Sequence, residues 1–213
     1  MSRMHTALIV PAPLVLFFAL LVFTAPARAD DDALYGPDAP PGSAFIRLFN
    51  ASDEHDLQGQ VGDVEFDDSG AWGITEFEFL PPGQQQIVVG SVSQAISLEP
   101  DRFYTAVYDG QSVRLLQNQR YDNRLKALLI LYNLTDAKQL SLRTPDGSAT
   151  IIDSVAQEAY GTREVNAARA RLSLFAGDRR LADTPPVTLN RGKAFSLFAV
   201  GPSTAPRLVW ASN

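Results

Sequence analysis

No cysteine occurs among the 213 residues, and histidine occurs only twice, at His5 and His55. The first absence removes disulfides, thiolate nucleophiles and thiolate metal ligands together, so stability rests on packing alone. The second leaves His55 as the single conventional base beyond the leader for any serine-based acyl transfer. No G-x-S-x-G or G-D-S string is present to seat a nucleophilic serine on a turn. Cations are in the minority as well, with 18 Lys and Arg against 24 Asp and Glu and a net charge of −6. An acidic chain does not suit nucleic acid or an anionic membrane surface, because both require a basic footprint. Nor does any stretch carry a helical apolar stripe longer than two turns.

What is present begins with an export leader. Arg3 and His5 precede an apolar stretch from Ala7 to Phe23, and Ala27-Arg28-Ala29 places small residues where a signal peptidase reads. Pro11 and Pro13 interrupt that stretch, which falls short of the ~20 residues a spanning helix needs. The expectation is cleavage after Ala29 and export of the mature protein. Cleavage removes Arg3 and Arg28 and no acid, so the net charge moves from −6 to −8.

Behind the leader one strand pattern occurs twice. Ala44 to Ser52 reads AFIRLFNAS and Ala127 to Thr135 reads ALLILYNLT, each an apolar run closed by Asn. Ile96 to Gly110 aligns without a gap on Val187 to Gly201, and Arg114-Leu115-Leu116 aligns on Arg207-Leu208-Val209 in the same order. Three ordered matches imply an internal duplication.

Each copy is rich in short segments of period-2 alternation between turn signals. In TEFEFL, Phe77 and Phe79 fall on one face and Glu76 and Glu78 on the other, and Pro81-Pro82-Gly83 is expected to turn that strand into a hairpin with Gln85 to Val89. Arg169 to Ala176 is expected to be one strand with Arg169 and Arg171 on its outward face, about 7 Å apart. The expected fold is all-β, two tandem β-sandwich domains of immunoglobulin-like or jelly-roll-like type. Residues 1–29 form the leader, 30–118 the first domain, 119–125 a linker and 126–213 the second domain.

The strings ALYGPDAPPGSAFIRLFNAS, FEFLPPG, DRFYTAVY, LYNLTDAKQLSLRTPDG, REVNAARARLSLFAGDRRL and LNRGKAFSLF together resemble the AlgF family. The resemblance runs from Ala33 to Trp210. It implies a periplasmic accessory protein of alginate O-acetylation with two β-sandwich domains, working beside a membrane acyltransferase and periplasmic acetyltransferases. It carries no catalytic motif.

The residues themselves offer little for chemistry. Asp53-Glu54-His55-Asp56 lies directly after the first strand, where its members are too close in sequence to converge as a triad. Asp67-Asp68 and Asp30-Asp31-Asp32 add carboxylates, but none of these groups has the alternating spacing that wraps calcium, so no metal and no cofactor is expected. Asn50-Ala51-Ser52 and Asn133-Leu134-Thr135 match the glycosylation acceptor string, yet their equivalent positions read as turns that end strands.

Binding is the stronger expectation. Tyr35, in a short segment bounded by Pro37, is a candidate docking residue. Trp72, between Ala71 and Gly73, is a candidate contact ring, with core burial as the alternative. Arg163, Arg169 and Arg171 belong to a basic group that also includes Arg179, Arg180 and Arg191. Such guanidinium groups suit uronate carboxylates or an acidic partner face, with ordinary surface charge as the alternative. Taken with what the resemblance implies, these residues point to a non-catalytic adaptor that bridges acetylation enzymes and the polymer alginate. An acetyl relay and a polymannuronate-binding module are the competing readings.

Overall fold

A run in which every residue is apolar, rather than every second one, marks a strand buried on both faces. Ala127–Thr135 is such a strand, with all nine residues buried, and Ala44–Asn50 is nearly so. The computed structural model describes residues 39–67 and 69–212, and the leader, Tyr35 and Asp68 lie outside that range.

The first copy contributes β1 (Ala44–Asn50), β2 (Gly59–Val61), β3 (Val64–Phe66), β4 (Glu78–Leu80), β5 (Gly83–Val89), β6 (Val92–Leu98), β7 (Phe103–Tyr108) and β8 (Val113–Asn118). The second contributes β9 (Ala127–Thr135), β10 (Gln139–Arg143), β11 (Thr150–Ala156), β12 (Tyr160–Val165), β13 (Ala168–Ala170), β14 (Ser173–Ala176), β15 (Arg179–Asp183), β16 (Val187–Leu189), β17 (Ala194–Gly201) and β18 (Arg207–Ser212). Residues 119–126 carry no strand.

Sheet order exposes the duplication. The first copy forms sheets β4-β1-β7-β8 and β3-β2-β5-β6, and the second repeats them as β12-β9-β17-β18 and β11-β10-β14-β15. A two-stranded ribbon, β13-β16, is added in the second copy. At the centre of the first-named sheet of each copy two strands run parallel, β1 with β7 and β9 with β17, while the other pairings are antiparallel. The architecture is two tandem β-sandwiches.

Three apolar cores separate four sheets. Ile46, Leu48, Ile87, Val89 and Tyr104 lie in the core of the first sandwich, and Leu129, Leu131, Leu140, Leu174 and Leu197 in that of the second. The third core lies between the sandwiches, where Phe49 and Val107 meet Leu128, Ile130, Tyr132 and Phe198. Alternation explains the division: along β9 the odd residues face the second sandwich and the even residues face the first copy.

Several expectations need correction. Pro81-Pro82-Gly83 does not close a hairpin, because β4 pairs with β1 while β5 pairs with β2 and β6. The prolines end the β4 ladder, Gly83 adopts a φ of 112°, and the chain crosses to the opposite sheet. Arg169 to Ala176 is likewise two strands in two sheets. The break is at Leu172, whose N–H and C=O bond Thr184 at 3.1 and 2.8 Å, so Arg169 and Arg171 do not share a strand face. The third sequence match is displaced by two residues, since Arg114 lies opposite Val107 and Val209 opposite Phe198, making Val209 the counterpart of Arg114. The hairpin β2-β3, and strands β12 and β15, were not expected at all.

Candidate functional site

The two strand-ending asparagines show how closely the copies match. Both Asn50 and Asn133 are fully buried. Asn50 Nδ2 donates to the carbonyls of Glu54 and Gly70, and its Oδ1 accepts from the N–H and hydroxyl of Ser52. Asn133 does the same with Ala137, Val155 and Thr135. Burial and a saturated amide explain both acceptor strings as structural plugs rather than sites of modification.

The face between the sandwiches is more polar at one end. Arg47 is buried there, with Nε donating to Thr105 Oγ1 at 3.0 Å, Nη1 to the carbonyl of Ser212 at 3.3 Å, and its guanidinium 4.4 Å from the centre of the Phe77 ring. Thr105 Oγ1 in turn donates to Asn118 Oδ1 at 2.9 Å. Burial pushes the Tyr132 phenol up to about 12, and its ring stacks on Phe198 at 4.8 Å. Phe198 also meets Phe49 of the first copy at 5.0 Å.

Trp72 sits at the rim of this face, partly buried. Its indole N–H donates to Asp53 Oδ1 at 2.7 Å, and Arg207 of β18 lies 4.3 Å over the ring. At the other rim Arg114 Nη1 bonds Glu158 Oε1 at 2.6 Å. The loop holding His55 is exposed. Its neighbour Glu54 accepts from the Tyr108 hydroxyl at 3.1 Å, and burial together with that carboxylate raises the Tyr108 phenol. No hydrogen bond among the described residues joins His55 to a serine, and no group of three potential metal ligands occurs among them.

The candidate arginines do not form one cluster. Arg163 is exposed on edge strand β12, and Arg169 is exposed on the β13-β16 ribbon. Arg171 follows the ribbon and lies within electrostatic reach of Asp183. Asp183 is held below the usual carboxylate range first by its hydrogen bond from Arg180 and then by one from Ser173.

Two features escaped sequence reasoning. The first is the distribution of charge. Residues 39–118 carry twelve acids and three arginines, a net charge of −9, whereas residues 119–213 carry eight acids and thirteen bases, a net charge of +5. Counting by half rather than over the chain reveals it. The second is a basic end of the second sandwich. Gly192 N–H donates to the Lys126 carbonyl at 2.8 Å and Leu128 N–H to that of Lys193 at 3.0 Å, which brings Arg124, Lys126, Arg191 and Lys193 around Leu125, 75% exposed. On the acidic half an apolar cleft of about 400 Å³ opens between Pro40, Val64, Phe79, Leu80 and Pro82, with Asp63 at its edge.

The sequence profile described as "Alginate O-acetyl transferase AlgF" matches residues 18–196. This chain belongs to the AlgF family. The alginate biosynthesis protein AlgF of Pseudomonas aeruginosa is 37% identical over 214 residues, covering 100% of this chain and 96% of its own length. The AlgF of Azotobacter vinelandii is 37% identical over 188 residues, covering 88% and 86%. Solved structures of the N- and C-terminal domains of AlgF from P. aeruginosa align with 38% and 42% of this AlgF-family chain. They do so at 37% and 34% identity, with TM-scores of 0.35 and 0.38, and each is covered almost completely.

Proposed function

We propose that this chain is a non-catalytic adaptor of alginate O-acetylation, acting in the periplasm after loss of residues 1–29. One domain, residues 30–118, is joined through residues 119–125 to a second, residues 126–213. Their partners are the periplasmic acetyltransferases and membrane acyltransferase of that pathway, with alginate a further ligand. The observation that carries this reading is the pairing of two sandwiches of one topology and opposite charge on a shared apolar face. Identical scaffolds with opposite potentials suit two different partners, since complementary potentials steer association and reject like-charged surfaces.

Within this reading Arg163, Arg169 and Arg171 present the basic half to uronate carboxylates or an acidic protein face. Trp72, on the acidic half, and Tyr35, outside the described residues, are the aromatic contacts of the domain spanning residues 30–118. The exposed edge arginines contribute to encounter and salt dependence more than to holding energy.

A pull-down of mature protein against the pathway's periplasmic acetyltransferases, run beside an assay for acetyl transfer by this protein alone, tests the proposal. Complex formation without transfer supports it. Transfer, or an acetyl adduct formed without partners and lost in His55→Ala, establishes the relay instead.

A further inference from the structure

We infer that the contact between the two sandwiches is a self-complementary protein–protein interface, a former dimer contact made intramolecular, that holds the halves together without residues 119–126. It goes beyond the adaptor reading and does not depend on it.

Both copies use the same surface. The outer face of β4-β1-β7-β8 packs on the outer face of β12-β9-β17-β18, sheets that correspond strand for strand. When two copies of one fold meet through the same patch, a two-fold axis relates them and every contact has a mate. Phe49 corresponds to Tyr132 and Val107 to Phe198, by the matching registers of the two parallel pairs, and all four lie in the shared core.

The rim supplies the sharper sign. Asn50 N–H donates to the Gly73 carbonyl and Asn133 N–H to the Ala159 carbonyl, so Trp72 corresponds to Glu158. Both residues have left-handed backbones, with φ of 62° and 59°, a conformation uncommon outside glycine. Each then receives a guanidinium from the last strand of the opposite copy, Trp72 from Arg207 and Glu158 from Arg114. The two arginines stand on the same outer face, two residues apart in register. One device is thus used in both directions, with a ring accepting the cation at one end and a carboxylate at the other.

Cores settle which parts are autonomous. Each sandwich has its own buried cluster drawn from one copy, and the shared cluster adds only the outer faces. The charges of −9 and +5 favour the unlike pairing over either like pairing.

The test inserts a protease site between Arg120 and Asn123 of the full mature chain and cuts it. We expect the cut protein to elute as one particle at micromolar concentration, with both fragments present, whereas elution as two separate folded fragments overturns the inference. Phe198→Asp should weaken reassociation at least about 100-fold by placing a charge in the shared core. Should that variant unfold, Arg114→Glu is the surface alternative, expected to weaken association about 10-fold and to be restored by Glu158→Arg. Glu158→Trp should keep affinity within about threefold, because a ring at that position can accept Arg114 as Trp72 accepts Arg207. Loss of association in Glu158→Trp equal to that in Arg114→Glu would show that the two rims are not mates.

Discussion

The two halves of this AlgF-family chain agree in fold and disagree in charge. Strand order, the central parallel pair and the buried asparagine plug are common to both, whereas one half is net acidic and the other net basic. Features that satisfy buried polar groups or fill a core are fixed by packing, because their loss is costly wherever they occur. Surface charge carries little folding energy and is free to diverge.

The largest effect that would disturb this comparison is expected at the shared core. Phe198→Ala removes a fully buried ring that touches both Tyr132 and Phe49, and should cost about 3–5 kcal/mol in urea unfolding. It should also split one unfolding transition into two, because the halves lose their coupling. Next come the asparagines. Asn50→Ala and Asn133→Ala should each cost about 1–3 kcal/mol, since each leaves buried carbonyls and N–H groups without partners. Similar losses would confirm the plug as a common device, and a difference above about 2 kcal/mol would show that one copy has outgrown it.

The rim contacts rank lower. Arg207→Ala should cost about 0.5–1 kcal/mol through the Trp72 ring, and Arg114→Ala less than about 1 kcal/mol because Glu158 is half exposed. Thermal unfolding of both single variants and the double variant would check this.

The smallest effect near neutral pH, and the most telling in acid, concerns carboxylates. Hydrogen bonds from Thr144 and then Ser148 hold Asp146 down to about 2, and Asp136, Asp153 and Asp183 are also lowered. All four lie in the basic half, and among the described residues of the other only Asp109 is lowered. A depressed folded value gives stability that is complete above about pH 4 and lost as pH falls toward 2. The second sandwich should therefore weaken over that window, while protonation relieves repulsion among the twelve acids of the first. In alkali the sign differs. Tyr132 is raised in the folded state, so its contribution is whole below pH 10 and lost as pH climbs to about 12. Circular dichroism from pH 2 to 12 would follow both limbs.

Much of this was legible in the sequence. The strings AFIRLFN and ALLILYN announced the repeat, and the structure makes both of them strands with nearly every residue buried. The sheet change at Pro81-Pro82 was not legible, because a turn signal gives the stop and not the next partner. Nor was the joint between the sandwiches. Arg114 meets Glu158 and Arg207 meets Trp72 across long separations that no local pattern encodes. The charge division was in plain view and was hidden only by summing over the whole chain.

The most direct test of the account labels Trp72 and Trp210 with 5-fluorotryptophan and follows both 19F resonances through one denaturant titration. Trp72, bonded to Asp53, reports the first sandwich together with its rim contact to Arg207, and Trp210, whose indole N–H donates to the Pro185 carbonyl at 3.2 Å, reports the second. Two sandwiches locked by a shared core should lose both native signals at one midpoint. Midpoints separated by more than the width of a transition would contradict it, leaving two independent domains on a short tether.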